Sequence, residues 1–135
     1  MALFNWDETL AVHILTFDRQ HRHLVGLVNG LHDAMKQGSV KEVLEPLLGE
    51  LVRYTREHFA AEEKLMVMHD FPGYTEHKKE HDTFVDKVLD FQKQYEKGGV
   101  TLSLEVMDFL VEWVKTHIKV MDHRYGPFLR EKGVV

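Results

Sequence analysis

The chain has 135 residues, of which 44% are hydrophobic, which suits one compact domain with a buried core and is too short for two. Its 17 basic and 22 acidic residues give a net charge of −5 without a basic stripe, so nucleic acid is not expected as a partner. It has no cysteine, which excludes disulfides, thiolate nucleophiles, cysteine-based zinc sites and iron–sulfur clusters, and any bound metal must be held by nitrogen and oxygen.

Residues 1–17 are predicted to form an arm that precedes the helices. The first seven residues lack the basic start and the apolar core of a signal peptide, and no uncharged apolar run approaches ~18 residues. We therefore expect a cytoplasmic protein that is not embedded in a membrane. The aromatic side chains of Phe4 and Trp6 predict that the arm packs against one end of the domain.

Four amphipathic helices are predicted, because apolar residues recur at spacings of three and four between glycine- or proline-containing breaks. Their approximate ranges are 18–37, 40–69, 75–97 and 101–121, with a tail at 122–135. Strand-like alternation is absent. Short connections return each helix beside the previous one, so we predict an all-α domain over residues 1–135, an antiparallel up-down-up-down four-helix bundle.

Local signals place the helix starts. Asp18 is positioned to cap the first helix, and Ser39 with Glu42 forms a capping-box pattern before the second. Pro46 offers an alternative start or a kink for that second helix.

Histidines and carboxylates occur at metal-ligand spacings on all four predicted helices, in a set that is enough to hold two metal ions. Its members are His21, His58, Glu62, His77, His81, His117 and Asp122. The pairs four residues apart share a helix face and continue the apolar stripes, so they point into the bundle. There, unpartnered imidazoles or carboxylates carry a desolvation cost that a metal removes. One inward histidine is more simply a hydrogen-bonded core residue, but five in register with two carboxylates favour metal binding.

The pair His117 and Asp122 fits an α-helix less well. Five residues advance about 500°, which leaves the two side chains about 140° apart. Asp122 can join the site only if the helix ends or loosens there. The other five histidines lack such partners and are interpreted as surface or packing residues; they are His13, His23, His32, His69 and His123.

Two other metal motifs account for this sequence less well. Residues 77–81 match H-x-x-E-H, a zinc peptidase pattern, but that interpretation leaves the ligands on the other helices unexplained. Carboxylate-rich di-iron proteins use Glu-x-x-His, which does not occur in this chain. An imidazole-rich site suits binding better than the oxidation of strong C–H bonds, although residue identity alone leaves manganese and zinc open.

The segments DRQH at 18–21, HFAAEE at 58–63 and WVKTHI at 113–118, together with His77, His81 and Asp122, resemble the hemerythrin family, specifically single-domain bacteriohemerythrins. Trp6 and Tyr125 also fit that pattern. The resemblance implies two iron ions joined by a bridging oxide or hydroxide. By the resemblance, His77, His81 and His117 bind one iron, and His21 and His58 bind the other. Glu62 and Asp122 each bridge the two irons.

This assignment fills eleven of the twelve positions around two octahedral ions and leaves one open on the iron with two histidines. By resemblance, dioxygen binds there reversibly, for carriage, storage or supply to an oxygen-consuming enzyme, and the protein is a binder rather than an enzyme. The alternatives are peroxide or nitric oxide reduction at the same site, or an oxygen, redox or iron sensor that acts with a partner in trans. The absence of a leftover apolar stripe favours a monomer.

Four further residues carry specific expectations. Val114 is predicted to wall the oxygen pocket, where the family more often has leucine, so access is wider and autoxidation faster. His13 stands where related sequences usually have a small residue. Glu63 and Glu80 lie beside ligands in sequence, but neither is assigned a role, and Glu63 is interpreted as a surface charge.

Overall fold

The computed structural model describes residue 6, residues 8–97 and residues 102–135, and it confirms the all-α four-helix bundle. The first three helices are α1 (Leu15–Gln37), α2 (Val40–Met68) and α3 (Tyr74–Glu96). The fourth long helix has three parts, which are α4 (Leu102–Trp113), a π-helical segment (Val114–Met121) and α5 (Asp122–Glu131). No strand occurs within the described ranges.

The helices form a closed ring in which α1 packs against α2 and α4, and α3 packs against α2 and α4. The chain turns sharply after α1 because Gly38 adopts a left-handed conformation (φ 71°), which glycine enters without a steric penalty. At the other end of the ring, Gly126 of α5 has no Cβ to block the arm, since a Cβ there would lie 3.1 Å from the Val12 carbonyl oxygen. Short connections therefore set the antiparallel order.

Several sequence predictions need correction at the helix ends. Residues 122–131, predicted as part of a tail, continue the fourth helix, and α1 begins at Leu15 within the predicted arm. Asp18 does not cap α1. Its carboxylate instead accepts the Val12 and His13 backbone N–H groups, at 2.8 and 3.1 Å, and so fixes the turn that leads into the helix.

The capping box predicted at Ser39 is also absent, because the Ser39 hydroxyl turns back to the Ala34 carbonyl and makes no cap bond to α2. The helix α2 runs without a break through Pro46, which lies in its second turn. The arm was predicted to pack against the bundle through Phe4 and Trp6. Trp6 does pack against the core, and the Arg22 guanidinium carbon lies 5.0 Å from the centre of its ring. Phe4 lies outside the described residues. None of the described helices is long and apolar enough to cross a membrane.

The apolar interior divides into two clusters with a polar layer between them. The larger one fills the body of the bundle and includes Leu24, Leu51 and Phe84. The smaller one closes the end where the arm meets α5 and includes Phe17 and Tyr125. Along each helix the chain passes from one cluster to the other, and the candidate ligands lie at the crossing.

Candidate metal centre

All seven predicted ligands meet in the layer between the two apolar clusters. Each is buried, with at most 2% of its surface exposed. The residues contributed by α1, α2, α3 and the fourth helix are His21, His58 with Glu62, His77 with His81, and His117 with Asp122. The helical periodicity that places apolar residues inside places these polar residues inside as well, because they occupy the same stripes.

The ligand atoms form two groups that share a carboxylate. Donor atoms within 4.8 Å of one another come from Glu62, His77, His81, His117 and Asp122 in one group. A second group with the same spacing joins His21 and His58 to Glu62. Three imidazoles therefore surround one point and two surround another, and Glu62 belongs to both.

Asp122 also faces both groups. Its Oδ1 atom lies 2.9 Å from His77 Nε2 and 3.0 Å from His117 Nε2, while its Oδ2 atom lies 3.1 Å from His21 Nε2. Glu62 has a similar division, with Oε1 at 3.2 Å from His81 Nε2 and Oε2 at 3.0 Å from His58 Nε2. Each carboxylate thus directs one oxygen toward each half of the site, which is the arrangement that a pair of bridged cations requires.

Most of these short distances are not hydrogen bonds. The Nε2 atoms of His77, His81 and His117 and both Asp122 oxygens are buried and have no hydrogen-bond partner among the described residues. Leaving so many polar groups unsatisfied in an apolar interior would cost roughly 1–3 kcal/mol each. Atoms that crowd together without bonding one another are directed at a common point, so the donor set fits metal cations.

The electrostatics of the site in the absence of metal point to the same need for positive charge. Burial opposes protonation of His21, but the adjacent carboxylates of Asp122 and Glu62 outweigh it and raise its pKa to about 10. Burial likewise opposes protonation of His81, and the adjacent carboxylates of Glu62 and Glu63 raise its pKa to about 9. Burial lowers the pKa of His58. Protons on His21 and His81 balance the carboxylates, and a bound cation would displace them.

The burial that would raise the pKa of the two carboxylic acids is overcome by their histidine neighbours. His58 and His21 hold the pKa of Glu62 well below its ordinary range, and His117 and His21 do the same for Asp122. Both side chains are therefore carboxylates at neutral pH. This ionised state is the one that binds metal.

The outer nitrogen of three ligand histidines is held by a side chain from the neighbouring helix. His58 Nδ1 contacts Gln20 Oε1, His81 Nδ1 lies 2.8 Å from Glu63 Oε2, and His117 Nδ1 lies 3.3 Å from Glu80 Oε1. Since these oxygens accept, the Nδ1 atoms carry the protons, which leaves the Nε2 lone pairs directed into the site.

These three partners are the functional residues that the sequence prediction did not assign, and interpreting Glu63 as a surface charge was wrong. A signal was available in the sequence, because each partner stands next to an inward ligand in the chain and reaches the ligand of the next helix. Gln20 precedes His21 and serves His58, for example. This sequence signal can be used only when it is known which helices are neighbours, and that information comes from the fold.

Aromatic rings cover the outer faces of the imidazoles. Phe59 stacks on His81 with ring centres 3.8 Å apart, and Trp113 stacks on His117 at 3.9 Å. Tyr54 stacks on His58 at 5.1 Å. These rings fix the orientation of the ligands and exclude water from the layer.

Tyr125 lies on the side of the layer that faces the smaller cluster. It is fully buried, and its hydroxyl donates to Glu62 Oε2. Val114 is fully buried in the larger cluster at the start of the π-helical segment, one turn before His117. Its position borders the ligand layer on the apolar side.

None of the other five histidines belongs to the two groups of ligand atoms found in the described part of the chain. His23 is exposed and pairs with Glu50 at 2.9 Å. His123 has a structural role, since its Nδ1 lies 2.7 Å from the Lys119 carbonyl and its Nε2 lies 2.8 Å from the Ala11 carbonyl. It joins the arm to the π-helical segment.

The fold and the site together define a class of protein, namely helical bundles that carry a buried, imidazole-rich cation site with shared carboxylates. Residues 12–129 match the family described as Hemerythrin HHE cation binding domain. The chain belongs to the hemerythrin family.

Relatives of known name and structure cover almost the whole chain. Bacteriohemerythrin of Stenotrophomonas maltophilia is 34% identical over 129 residues, which are 93% of this chain and 81% of that protein. Bacteriohemerythrin of Methylococcus capsulatus is 32% identical over 130 residues, covering 96% of this chain and 98% of that protein. A crystal structure of wild-type hemerythrin superposes with a TM-score of 0.84 at 31% identity, covering 95% of this chain and 98% of that one.

Proposed function

We propose that the chain is a non-haem di-iron protein that binds dioxygen reversibly. The observation that carries the proposal is the division of the ligand layer into a group of three imidazoles and a group of two, with Glu62 and Asp122 facing both. Membership of the hemerythrin family supports the choice of iron over other cations that accept nitrogen and oxygen ligands.

In this proposal the first iron is held by His77, His81 and His117, and the second by His21 and His58. Glu62 and Asp122 bridge the two, together with an oxide or hydroxide. When bound, the iron pair supplies the two electrons that reversible dioxygen binding requires. With one imidazole fewer, the second iron would keep one position open for dioxygen.

The protein's own contribution is to position the ligands and to exclude water. Gln20, Glu63 and Glu80 hold the imidazole tautomers, as the Nδ1 contacts described above support. Phe59 and Trp113 press on the ligand rings from outside, and we assign Val114 to the apolar wall of the oxygen pocket. A dry pocket protects a ferrous pair from irreversible oxidation by water and anions.

We propose a binding role, in carriage, storage or supply of dioxygen to an oxygen-consuming enzyme, rather than catalysis. The buried layer supports this, because in this proposal its seven histidines and carboxylates all serve as ligands, and the Tyr125 hydroxyl is bonded to Glu62. Among the described residues of this layer, no histidine or carboxylate then remains for general acid–base catalysis. We further propose that residues 1–135 act as one domain and as a monomer.

The test is anaerobic reconstitution with ferrous iron, counting metal per chain and recording the visible spectrum as oxygen is admitted and removed. Two irons and a charge-transfer band that appears and disappears reversibly are expected. His81→Ala should lose metal, while His32→Ala, at a half-buried histidine outside the site, should not. Uptake of fewer than two irons would overturn the site, and one-way conversion to a ferric spectrum would overturn the binding role.

A further inference from the structure

A groove between α1 and α2 leads from the protein surface to one of the candidate ligands. It has a volume of about 230 Å³. Its lining consists of Arg19, Gln20, His23, Arg53, Tyr54, Glu57 and His58. His58 belongs to the group of two imidazoles, so the groove reaches the half of the site that we assign to the second iron.

The contacts inside the groove couple its surface to that ligand. The Tyr54 ring stacks on the His58 ring at an interplanar angle of 20°, and Gln20 holds His58 Nδ1. The ring of His23, which is exposed, lies 5.9 Å from the ring of Tyr54. Packed aromatic rings thus run without a gap from solvent to a metal ligand.

The rim of the groove is positively charged in a chain whose net charge is −5. Its charged lining residues are two arginines, Arg19 and Arg53, and one glutamate, Glu57. Glu57 is engaged by Arg53 at 3.4 Å, and Arg53 also contacts Glu50 on the same helix. Arg19 is exposed and makes no ion pair with any described residue, so the excess positive charge of the groove faces solvent.

We propose that an acidic one-electron carrier protein docks on this groove and reduces the oxidised iron pair through Tyr54 and His58. The inference rests on the proposed function and adds a partner to it. Each carrier molecule is oxidised by one electron as one ferric ion becomes ferrous, so two encounters restore the ferrous pair. A bridging oxide takes one proton from water to become the hydroxide. Charge complementarity selects an acidic partner, because like charges repel at this rim.

The first test compares two small reductants with the same core and opposite charge. Reduction of the diferric protein is followed by stopped-flow with methyl viologen radical cation and with the radical anion of a bis-sulfonated viologen. Arg19→Glu should slow reduction by the anion several-fold, and should not slow reduction by the cation. Lys79→Glu makes the same charge change on an exposed residue of α3 and serves as the control. Equal effects of the two substitutions would overturn the groove as the entry site.

The second test needs no iron. Oxidised flavodoxin, an acidic flavin carrier, is added to the zinc-loaded protein while backbone amide resonances are recorded. Shifts should concentrate in residues 19–23 and 50–57, weaken in Arg19→Glu and vanish at about 0.5 M salt, where the screening length is only a few ångströms. Shifts elsewhere, or none, would overturn the docking surface.

The two proposals fail separately. If the protein binds dioxygen reversibly but flavodoxin shifts no resonance in the groove, the docking inference is wrong and the oxygen-binding function stands. If two irons are not taken up, the proposed function fails whatever the amide shifts show.

Discussion

His117 and Asp122 are joined by a π-helical hydrogen bond, in which the Asp122 backbone N–H donates to the His117 carbonyl. The same turn brings Asp122 Oδ1 to 3.0 Å from His117 Nε2. In an α-helix, residues five apart would point about 140° away from each other. The wider π-helical turn, closed by a hydrogen bond between residues five apart, brings their side chains much closer to one face. The loosened helix is therefore what allows both side chains to enter the site.

This relationship makes the length of the π-helical segment a condition for metal binding. Inserting one alanine after Val120, an exposed residue, would place the aspartate six residues from His117 and turn it away from the site. We expect the insertion variant to bind fewer than two metals per chain. Deleting Val120 restores a spacing of four, which an α-helix also keeps on one face, so metal content should be retained. Two metals in the insertion variant would contradict this account.

The carboxylates that hold the outer nitrogens should govern metal affinity. Removing such a partner commonly weakens metal binding ~10–100-fold. We therefore expect Glu63→Gln and Glu80→Gln each to weaken binding by about tenfold or more, measured by competition with a chelator. Glu112→Gln removes an exposed carboxylate from the same helix as His117 and is the matched control. Unchanged affinity in both site variants would show that the Nδ1 contacts do not support the ligands.

The sequence predicted those parts of the centre that follow from the spacing of ligands along a single helix. His58 with Glu62, and His77 with His81, were predicted as pairs because four residues are close to one α-helical turn. The need for a loosened helix before Asp122 followed from the same arithmetic. The π-helical form of that loosening did not, since it depends on tertiary contacts such as that of His123 Nε2 with the Ala11 carbonyl.

The roles of Gln20, Glu63 and Glu80 could not be read from spacing either, because each acts on a ligand of another helix. Similarly, Asp18 has the residue type of an N-cap but bonds to the arm, whose course is set by packing around Val12 and Gly126. Local propensity predicted the helices well, while contacts between elements decided the ends.

The arm contains a strained residue that can be relieved. His13 has a φ of 62°, in the left-handed region that side chains with a Cβ enter at a cost. Its N–H donates to Asp18, and this bond survives substitution because it uses the backbone. His13→Gly should stabilise the fold by about 0.5–1 kcal/mol, measured by urea unfolding. His32→Gly, in the interior of α1, should instead destabilise it by about 1 kcal/mol. A lower free energy of unfolding in His13→Gly would refute the interpretation that the His13 backbone is strained.

The metal-free protein should lose stability as pH rises. The pKa of His21 is about 10 and that of His81 is about 9, both above the ordinary 6.5, so the folded state binds protons more tightly than the unfolded state. Their contribution is fully present below pH 6.5 and is lost as pH rises through 9 and 10. We expect the free energy of unfolding in chelator to fall by on the order of a few kcal/mol between pH 7 and 10.

The contribution of His21 is isolated by comparing how steeply the free energy of unfolding falls with pH in the wild type and in His21→Gln. His21→Gln should flatten the slope even if it also lowers stability at pH 7, because the titrating imidazole is gone. His58 acts in the opposite sense, since its lowered pKa makes the fold less stable as pH falls below 6.5. Metal loading should abolish the alkaline loss, because the ligands are then already deprotonated. Equal slopes in the wild type and His21→Gln would contradict the assignment.

The last prediction concerns Val114, which is fully buried beside the ligand layer and belongs to the larger apolar cluster. If it walls the oxygen pocket, the size of its side chain sets how easily water and anions reach the open position. Val114→Leu adds one methylene and should slow autoxidation several-fold, while Val114→Ala should speed it.

The two variants also differ in stability, because overpacking costs about 1–3 kcal/mol and a cavity costs a similar amount. Autoxidation is followed as the decay of the oxygenated spectrum at a temperature well below unfolding, so that rate and stability are separated. Ile118→Val removes one methylene from a buried side chain of the same segment and is the control for a change in packing alone. Equal effects of the Ile118 and Val114 substitutions on the decay rate would remove Val114 from the pocket and leave it a packing residue.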